Sequence, residues 1–192
     1  MTPPAPLRVL ALSGSLRATS INTAVLLTAQ SLALAGLTVT LCRGLGDLPH
    51  FNPDLDNATP PADVVALREA IDFADALLFC TPEYAHGVPG TLKNALDWLV
   101  SHIPFLNKPV AIINARPGAD YAQASLRETL AAMNARLIEA ASVTLPLTSN
   151  TLDTEALRQL PAVRERLQLS LTAIRQYCRR PNSGAHDSLN GS

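Results

Sequence analysis

Between Ser13 and Asn22 the chain gathers the hydroxyls of Ser13, Ser15, Thr19 and Ser20, the Asn22 amide and the Arg17 guanidinium within ten residues. The apolar run Val9 to Leu12 precedes them and a helical pattern begins at Ser20 or Ile21, so the order is strand, turn, helix. A helix start presents unpaired backbone N–H groups and partial positive charge, and hydroxyls with a guanidinium beside it complete a cradle for phosphate. Ser20 acting only as a helix cap is the plainer alternative, and hydroxyls alone support it equally. Arg17 tips the balance, because a cation at a helix N-terminus is unfavourable until an anion neutralises both. Gly14 is the one glycine of this stretch and no Gly-Lys-Ser/Thr is present. Neither common nucleotide loop fits, which points to a phosphomonoester on another kind of molecule.

A second polar loop, Thr81 to Gly90, follows the apolar run Ala76 to Cys80. Pro82, Gly87, Pro89 and Gly90 stiffen its backbone and permit close approach, so its N–H groups could meet the edge of a flat heterocycle with Tyr84 stacked or alongside. An ordinary proline-rich turn with a surface tyrosine is the even alternative. A third loop, Ala115 to Asp120, carries Arg116 after the apolar run Pro109 to Asn114.

These loops need a scaffold that brings strand ends together. Strands are expected at 7–12, 37–42, 76–80, 109–114 and within 137–145, and helices from Ile21 toward Gly36, over 62–73, from Thr91, over 121–135 and within 153–179. Leu92, Ala95, Leu96, Leu99 and Ile103 are assigned to one helix face, Val65, Leu67, Ala70, Ile71 and Ala74 to the core, and Pro161 to a helix start. Alternating strands and helices predict a flavodoxin-like, doubly wound, five-stranded parallel sheet of order 2-1-3-4-5 with helices on both faces. In that order the chain reverses direction between strands one and three, and ligands bind at their carboxyl ends. The first and second polar loops fall there, so one ligand is expected to span both. Breaker-rich residues 43–60 bring Leu48, His50 and Phe51 over the ligand or a neighbouring subunit, or into a local mini-core. Lys93 and Asp97 are spaced for a helix-surface ion pair.

The chain of 192 residues is 47% hydrophobic, enough for one domain over 7–180, with 1–6 and 181–192 expected to be disordered. Fifteen basic residues against sixteen acidic ones, net −1, leave no electrostatic footprint for nucleic acid or anionic lipid. Cys42, Cys80 and Cys178 are widely spaced and read as buried apolar side chains in a reducing compartment. No signal peptide or membrane-length apolar run is recognisable, which predicts a cytoplasmic protein, and the four histidines show no metal-ligand spacing.

Gly14-Ser15-Leu16-Arg17 with Ser20 and Asn22, then Pro82-Glu83-Tyr84, Pro89-Gly90 and Lys93-Asn94-Ala95-Leu96-Asp97-Trp98, resemble the NADPH-dependent FMN reductase family, which includes quinone, chromate and azo-dye reductases. The resemblance implies bound FMN with NADPH or NADH as hydride donor. It assigns the FMN phosphate to Ser15, Arg17, Ser20 and Asn22, with Ile21 beside them at the helix start. Ring or ribityl roles go to Pro82, Glu83, Tyr84, Ala85 and Gly87. Two departures stand out: many members have Asn where this chain has Ala85, and many have a glycine-rich third loop where this one reads Ala115-Arg116-Pro117-Gly118-Ala119. Arg116 is kept among the cofactor-binding candidates, with a nicotinamide cofactor's phosphate or solvent as alternatives and solvent preferred.

The expected reaction is hydride transfer from nicotinamide to bound FMN, then to a small acceptor (quinone, free flavin, azo compound or metal oxyanion) in ping-pong turnover, with no catalytic side chain required. Tyr84 and His86 could supply a proton to a quinone, although a solvent-facing His86 is the favoured reading. A homodimer or homotetramer is expected. The rival readings are a flavodoxin-like electron carrier, a phosphatase and a flavin-sensing module. Balanced charge argues against the carrier, and the absence of a loop cysteine argues against the phosphatase.

Overall fold

The computed structural model describes residues 5–180. The expected disordered tail, 181–192, and most of the expected disordered lead, 1–6, lie outside them. Strand β1 (Leu7–Ser13) pairs in parallel with β2 (Leu37–Leu41) on one side and β3 (Ala76–Cys80) on the other. Beyond β3 lies β4 (Pro109–Asn114), followed by β5 (Arg136–Leu137), in the order β2-β1-β3-β4-β5. The expected order therefore stands, but the strand count is six. The fifth position is shared by β5 and β6 (Val143–Thr144), which both pair with β4.

The reason for the split is a side chain. Between the two short strands the backbone coils into a single 3-10 turn at Glu139–Ala141. The Ser142 hydroxyl then accepts from the Ile112 N–H at 3.1 Å, taking a ladder bond that a continuous strand would have made. It donates in turn to Ile138 O at 3.2 Å, so one hydroxyl serves both the Ile112 N–H and the Ile138 carbonyl at the interruption.

Helices α1 (Ile21–Ser31), α2 (Ala62–Phe73), α3 (Gly90–Asp97), α4 (Asp120–Ala132), α5 (Thr154–Gln159) and α6 (Pro161–Arg179) complete the chain. Two apolar cores result, one on each face of the sheet. Val9, Ala11, Leu78 and Ile113 point to the side of α1, α5 and α6, where Val25, Leu157, Leu167 and Leu171 meet them. Leu10, Leu12, Phe79 and Ile112 point to the side of α2, α3 and α4, against Val64, Ile71, Leu92, Trp98 and Leu126. The strands alternate between the two cores, and both sets are apolar because both faces are covered.

Several local expectations shift. Helix α1 stops at Ser31, and Gly36 instead uses its positive φ of 75° at the turn into β2. Val64, rather than Val65, faces the core from α2. Ile103 does not continue the buried face of α3: it is 76% exposed, because the helix ends at Asp97 and Pro104 disfavours helical backbone just before it. Phe105 fills the core at that point. Lys93 and Asp97 form the expected surface pair at 2.6 Å. Residues 43–60 form no separate mini-core; their buried apolar side chains join the main core on the side of α2, α3 and α4. Leu45 and Leu48 are buried, Phe51 meets Trp98 edge-on at 5.0 Å, and the Trp98 indole N–H donates to Pro49 O at 2.8 Å. Among the described residues no helix is long and apolar enough to cross a membrane.

Candidate functional site

The two chain reversals that follow β1 and β3 lie side by side. Ser13 is in register with Cys80, and the Gly14 N–H donates to Cys80 O at 3.0 Å. A Cβ at Gly14 would sit 2.1 Å from Thr81 Oγ1, so only glycine allows the first loop to lie this close to the second.

Helix α1 begins as its sequence dictates. Ser20 is its N-cap, and its hydroxyl accepts from the Thr23 N–H at 3.4 Å. This satisfies one donor of the first turn, while the Ile21 and Asn22 N–H groups have no intramolecular acceptor among the described residues. Capping and anion binding are therefore compatible here. Ser13 and Thr23 bond to each other through their hydroxyls at 2.8 Å, and Ser15 Oγ accepts from the Arg17 N–H at 3.3 Å, which shapes the turn. Arg17 and Arg116 have no carboxylate partner among the described residues.

A cleft of about 260 Å³ opens at this edge of the sheet. Ser15, Arg17, Ser20, Ile21 and Asn22 form one wall, Pro82, Glu83 and Tyr84 another, and Arg116 a third. Nine of the expected residues thus meet around one space. Ala85 and Gly87 do not line it. They belong to the tight turn that presents Tyr84, in which Tyr84 and Gly87 exchange backbone hydrogen bonds at 3.1 and 3.0 Å. Ala85 and His86 take positive φ values of 48° and 59°, a pairing suited to the mirror-image turn of a two-residue hairpin.

Glu83 lines the cleft and also has a structural bond that sequence reasoning did not anticipate. Its carboxylate accepts from the Ala122 N–H at 2.9 Å, at the start of α4, where negative charge is favoured. The neighbouring His86 ring stacks on Tyr121 at 4.2 Å with 16° between planes, so His86 is exposed yet held. These two attachments fix the second loop to the helix that follows the third.

The cleft also includes Thr81, Asn114, Ala115, Gly118, Ala119 and Asn150, which sequence reasoning did not count as site residues. Asn114 was recoverable, since it ends an apolar strand as Cys80 does. Its Oδ1 accepts from the Arg116 N–H at 3.4 Å and gives the third loop its shape. Asn150 belongs to the polar stretch after the last strand, and its position at the carboxyl edge was the available signal.

No group of three His, Cys, Asp or Glu side chains among the described residues is arranged to hold a metal ion. The residues present do fit a phosphomonoester with a planar head. Asn22 is only 4% exposed, and the NH2 group of its amide has no protein acceptor. Beside it stand free helix N–H groups and an unpaired guanidinium. These donors are open to the cleft rather than enclosed, so a bound anion can accept from all of them at once.

Comparison with known proteins agrees with this geometry. Residues 7–149 match the model of a family described as NADPH-dependent FMN reductase. An NAD(P)H-dependent FMN reductase of Pseudomonas aeruginosa is 36% identical over 179 residues, covering 91% of this chain and 96% of that protein. A quinone reductase of Escherichia coli K12 is 40% identical over 115 residues, 58% of this chain and 61% of that one. The solved structure of FerB, a flavoenzyme NAD(P)H:(acceptor) oxidoreductase from Paracoccus denitrificans, superposes with a TM-score of 0.66 at 29% identity, covering 88% of this chain and 98% of FerB. The family match runs from β1 past the third loop, and with the relative from Pseudomonas aeruginosa it shows that this chain belongs to the NADPH-dependent FMN reductase family of oxidoreductases.

Proposed function

We propose that this protein binds FMN in the cleft between its first and second loops and uses NADPH or NADH to reduce a small acceptor such as a quinone, free flavin, azo compound or metal oxyanion. The observation that carries the reading is the adjacency of Gly14 and Thr81, which puts an anion cradle and a rigid turn within reach of one nucleotide. Held by the residues of the first and second loops, FMN would supply the hydride and electron chemistry, while the protein supplies binding and placement.

Each part of the chain has a definable task in that scheme. Ser15, Ser20, Asn22 and Arg17 donate hydrogen bonds and positive charge to the phosphate, and Arg17 does so in charge-assisted form. The Ala85 and His86 N–H groups, unused by the Tyr84–Gly87 pair, are available to a heterocycle's carbonyl edge. Donors fixed there favour negative charge developing on the ring. Turnover would be ping-pong, with the nicotinamide and then the acceptor meeting the ring beside the exposed Tyr84. Exposed Val100, Ile103 and Leu106 beyond α3 support association into a homodimer or homotetramer.

Spectroscopy of the purified protein tests this directly. A flavin spectrum that NADPH or NADH bleaches in the absence of oxygen, and that a quinone restores, is the expected result. A yellow protein that neither nicotinamide bleaches is an electron carrier or a sensor. A colourless protein that FMN cannot reconstitute removes flavin from the assignment.

A further inference from the structure

Cys80 ends β3 in the core behind the cleft, fully buried, and its thiol donates to Asn22 Oδ1 at 3.4 Å. Asn22 belongs to the first turn of α1 and is itself nearly buried, so its amide has two possible orientations and little freedom beyond them. In one, Oδ1 receives the thiol proton and the NH2 group is left for the cleft. In the other, NH2 is spent on sulfur and the carbonyl oxygen faces the cleft, where it repels an anion. The Ala115 backbone N–H already bonds to the sulfur, which takes up its weak accepting capacity and leaves the thiol proton for Asn22 Oδ1. Burial pushes the Cys80 thiol pKa far up, so the proton stays on sulfur at neutral pH.

We propose that Cys80 is a positioning residue for the cofactor: by donating to Asn22 Oδ1, its thiol turns the Asn22 amide so that both NH2 hydrogens serve the FMN phosphate. The proposal rests on the FMN reading above. It gives the thiol a function that needs neither nucleophilicity nor redox chemistry, and it ties the end of β3 to the phosphate cradle of the first loop. It also distinguishes hydrogen bonding from packing, because serine keeps the donor and alanine does not.

The test is a titration of flavin-free protein with FMN and with riboflavin, followed by flavin fluorescence, in wild type, Cys80→Ser, Cys80→Ala, Asn22→Ala and the Cys80→Ala/Asn22→Ala pair. Cys80→Ala should weaken FMN binding by roughly tenfold and riboflavin binding by less than about twofold, the loss expected of one hydrogen bond. Cys80→Ser should restore the wild-type ratio of FMN to riboflavin affinity. In the Asn22→Ala background the Cys80→Ala effect should vanish. Should Cys80→Ala fail to fold by thermal melting, Cys80→Val replaces it, with the same expectation. Equal losses for FMN and riboflavin, an undiminished effect in the Asn22→Ala background, or wild-type FMN binding by the donorless variant would each overturn the proposal. Wild-type protein that binds neither flavin would overturn the FMN reading first and this one with it, whereas wild-type binding with no Cys80 effect defeats the positioning role alone.

Discussion

The two ends of the sheet are built from the same strands and treat charge in opposite ways. At the amino ends, Arg8 pairs with Asp75 at 2.9 Å and lies over the Phe73 ring at 4.1 Å, and Lys108 donates to Ala74 O at 2.9 Å. His102 meets Asp72 at 2.6 Å along the same edge. At the carboxyl ends Arg17 and Arg116 line a cleft whose one carboxylate, Glu83, is engaged by the Ala122 N–H rather than by either guanidinium, and the Asn22 NH2 group has no protein acceptor. A satisfied edge holds the fold, and an edge with excess donors awaits an anion. Stability and ligand affinity should therefore respond to different residues.

The largest effect should follow Gly14→Val, which drives a branched side chain into Thr81 where even a Cβ would come within 2.1 Å. Overpacking of this kind costs about 1–3 kcal/mol of stability, and separating the two loops should abolish FMN retention as well. Chemical denaturation and the flavin content of the purified protein read both outcomes. A variant that keeps its flavin would show that the loops need not touch. Arg17→Ala should then sharpen the contrast, weakening FMN by about 1.5–3 kcal/mol with riboflavin affinity and melting temperature unchanged. Equal loss of both flavins would remove Arg17 from the phosphate.

The opposite behaviour is expected of Asp75→Asn. The Arg8 hydrogen bond holds the Asp75 carboxyl below its ordinary value against an opposing effect of burial. A depressed pKa adds stability above the unfolded value of about 3.9, lost as pH falls through the folded value. Urea unfolding should thus show the variant less stable than wild type at pH 7, the gap closing below about pH 4, with FMN affinity unaltered at neutral pH. A shift in FMN affinity comparable to that of Arg17→Ala would erase the distinction between the edges. The smallest effect is a gain: Ala85→Asn relieves a left-handed backbone position that alanine tolerates poorly, raising stability by about 0.5–1 kcal/mol by thermal unfolding. No gain would mean that Ala85 is already accommodated.

Sheet order and loop placement were legible because they follow from simple periodicities. Continuous apolar runs such as Leu77 to Cys80 mark strands covered on both faces, and polar residues directly after them mark the carboxyl edge. What escaped was decided by tertiary partners. Ser142 replaces a ladder bond only because Ile112 is opposite, and the local sequence around Ile138 reads as an unbroken strand. The bond from the Ala122 N–H to Glu83 was illegible because its donor lies in a helix distant in sequence. That Ala85 and Gly87 close a tight turn presenting Tyr84, outside the cleft lining themselves, was likewise not visible in the local sequence.

The break between β5 and β6 also bears on behaviour at high concentration. Exposed sheet margins invite intermolecular strand pairing, and a margin cut into two-residue pieces by a coil offers little template for it. The opposite margin, β2, is a regular five-residue strand with no such interruption. Self-association through backbone pairing would have to start along Leu37 to Leu41, so that segment is where charged substitutions would best protect the protein from precipitation.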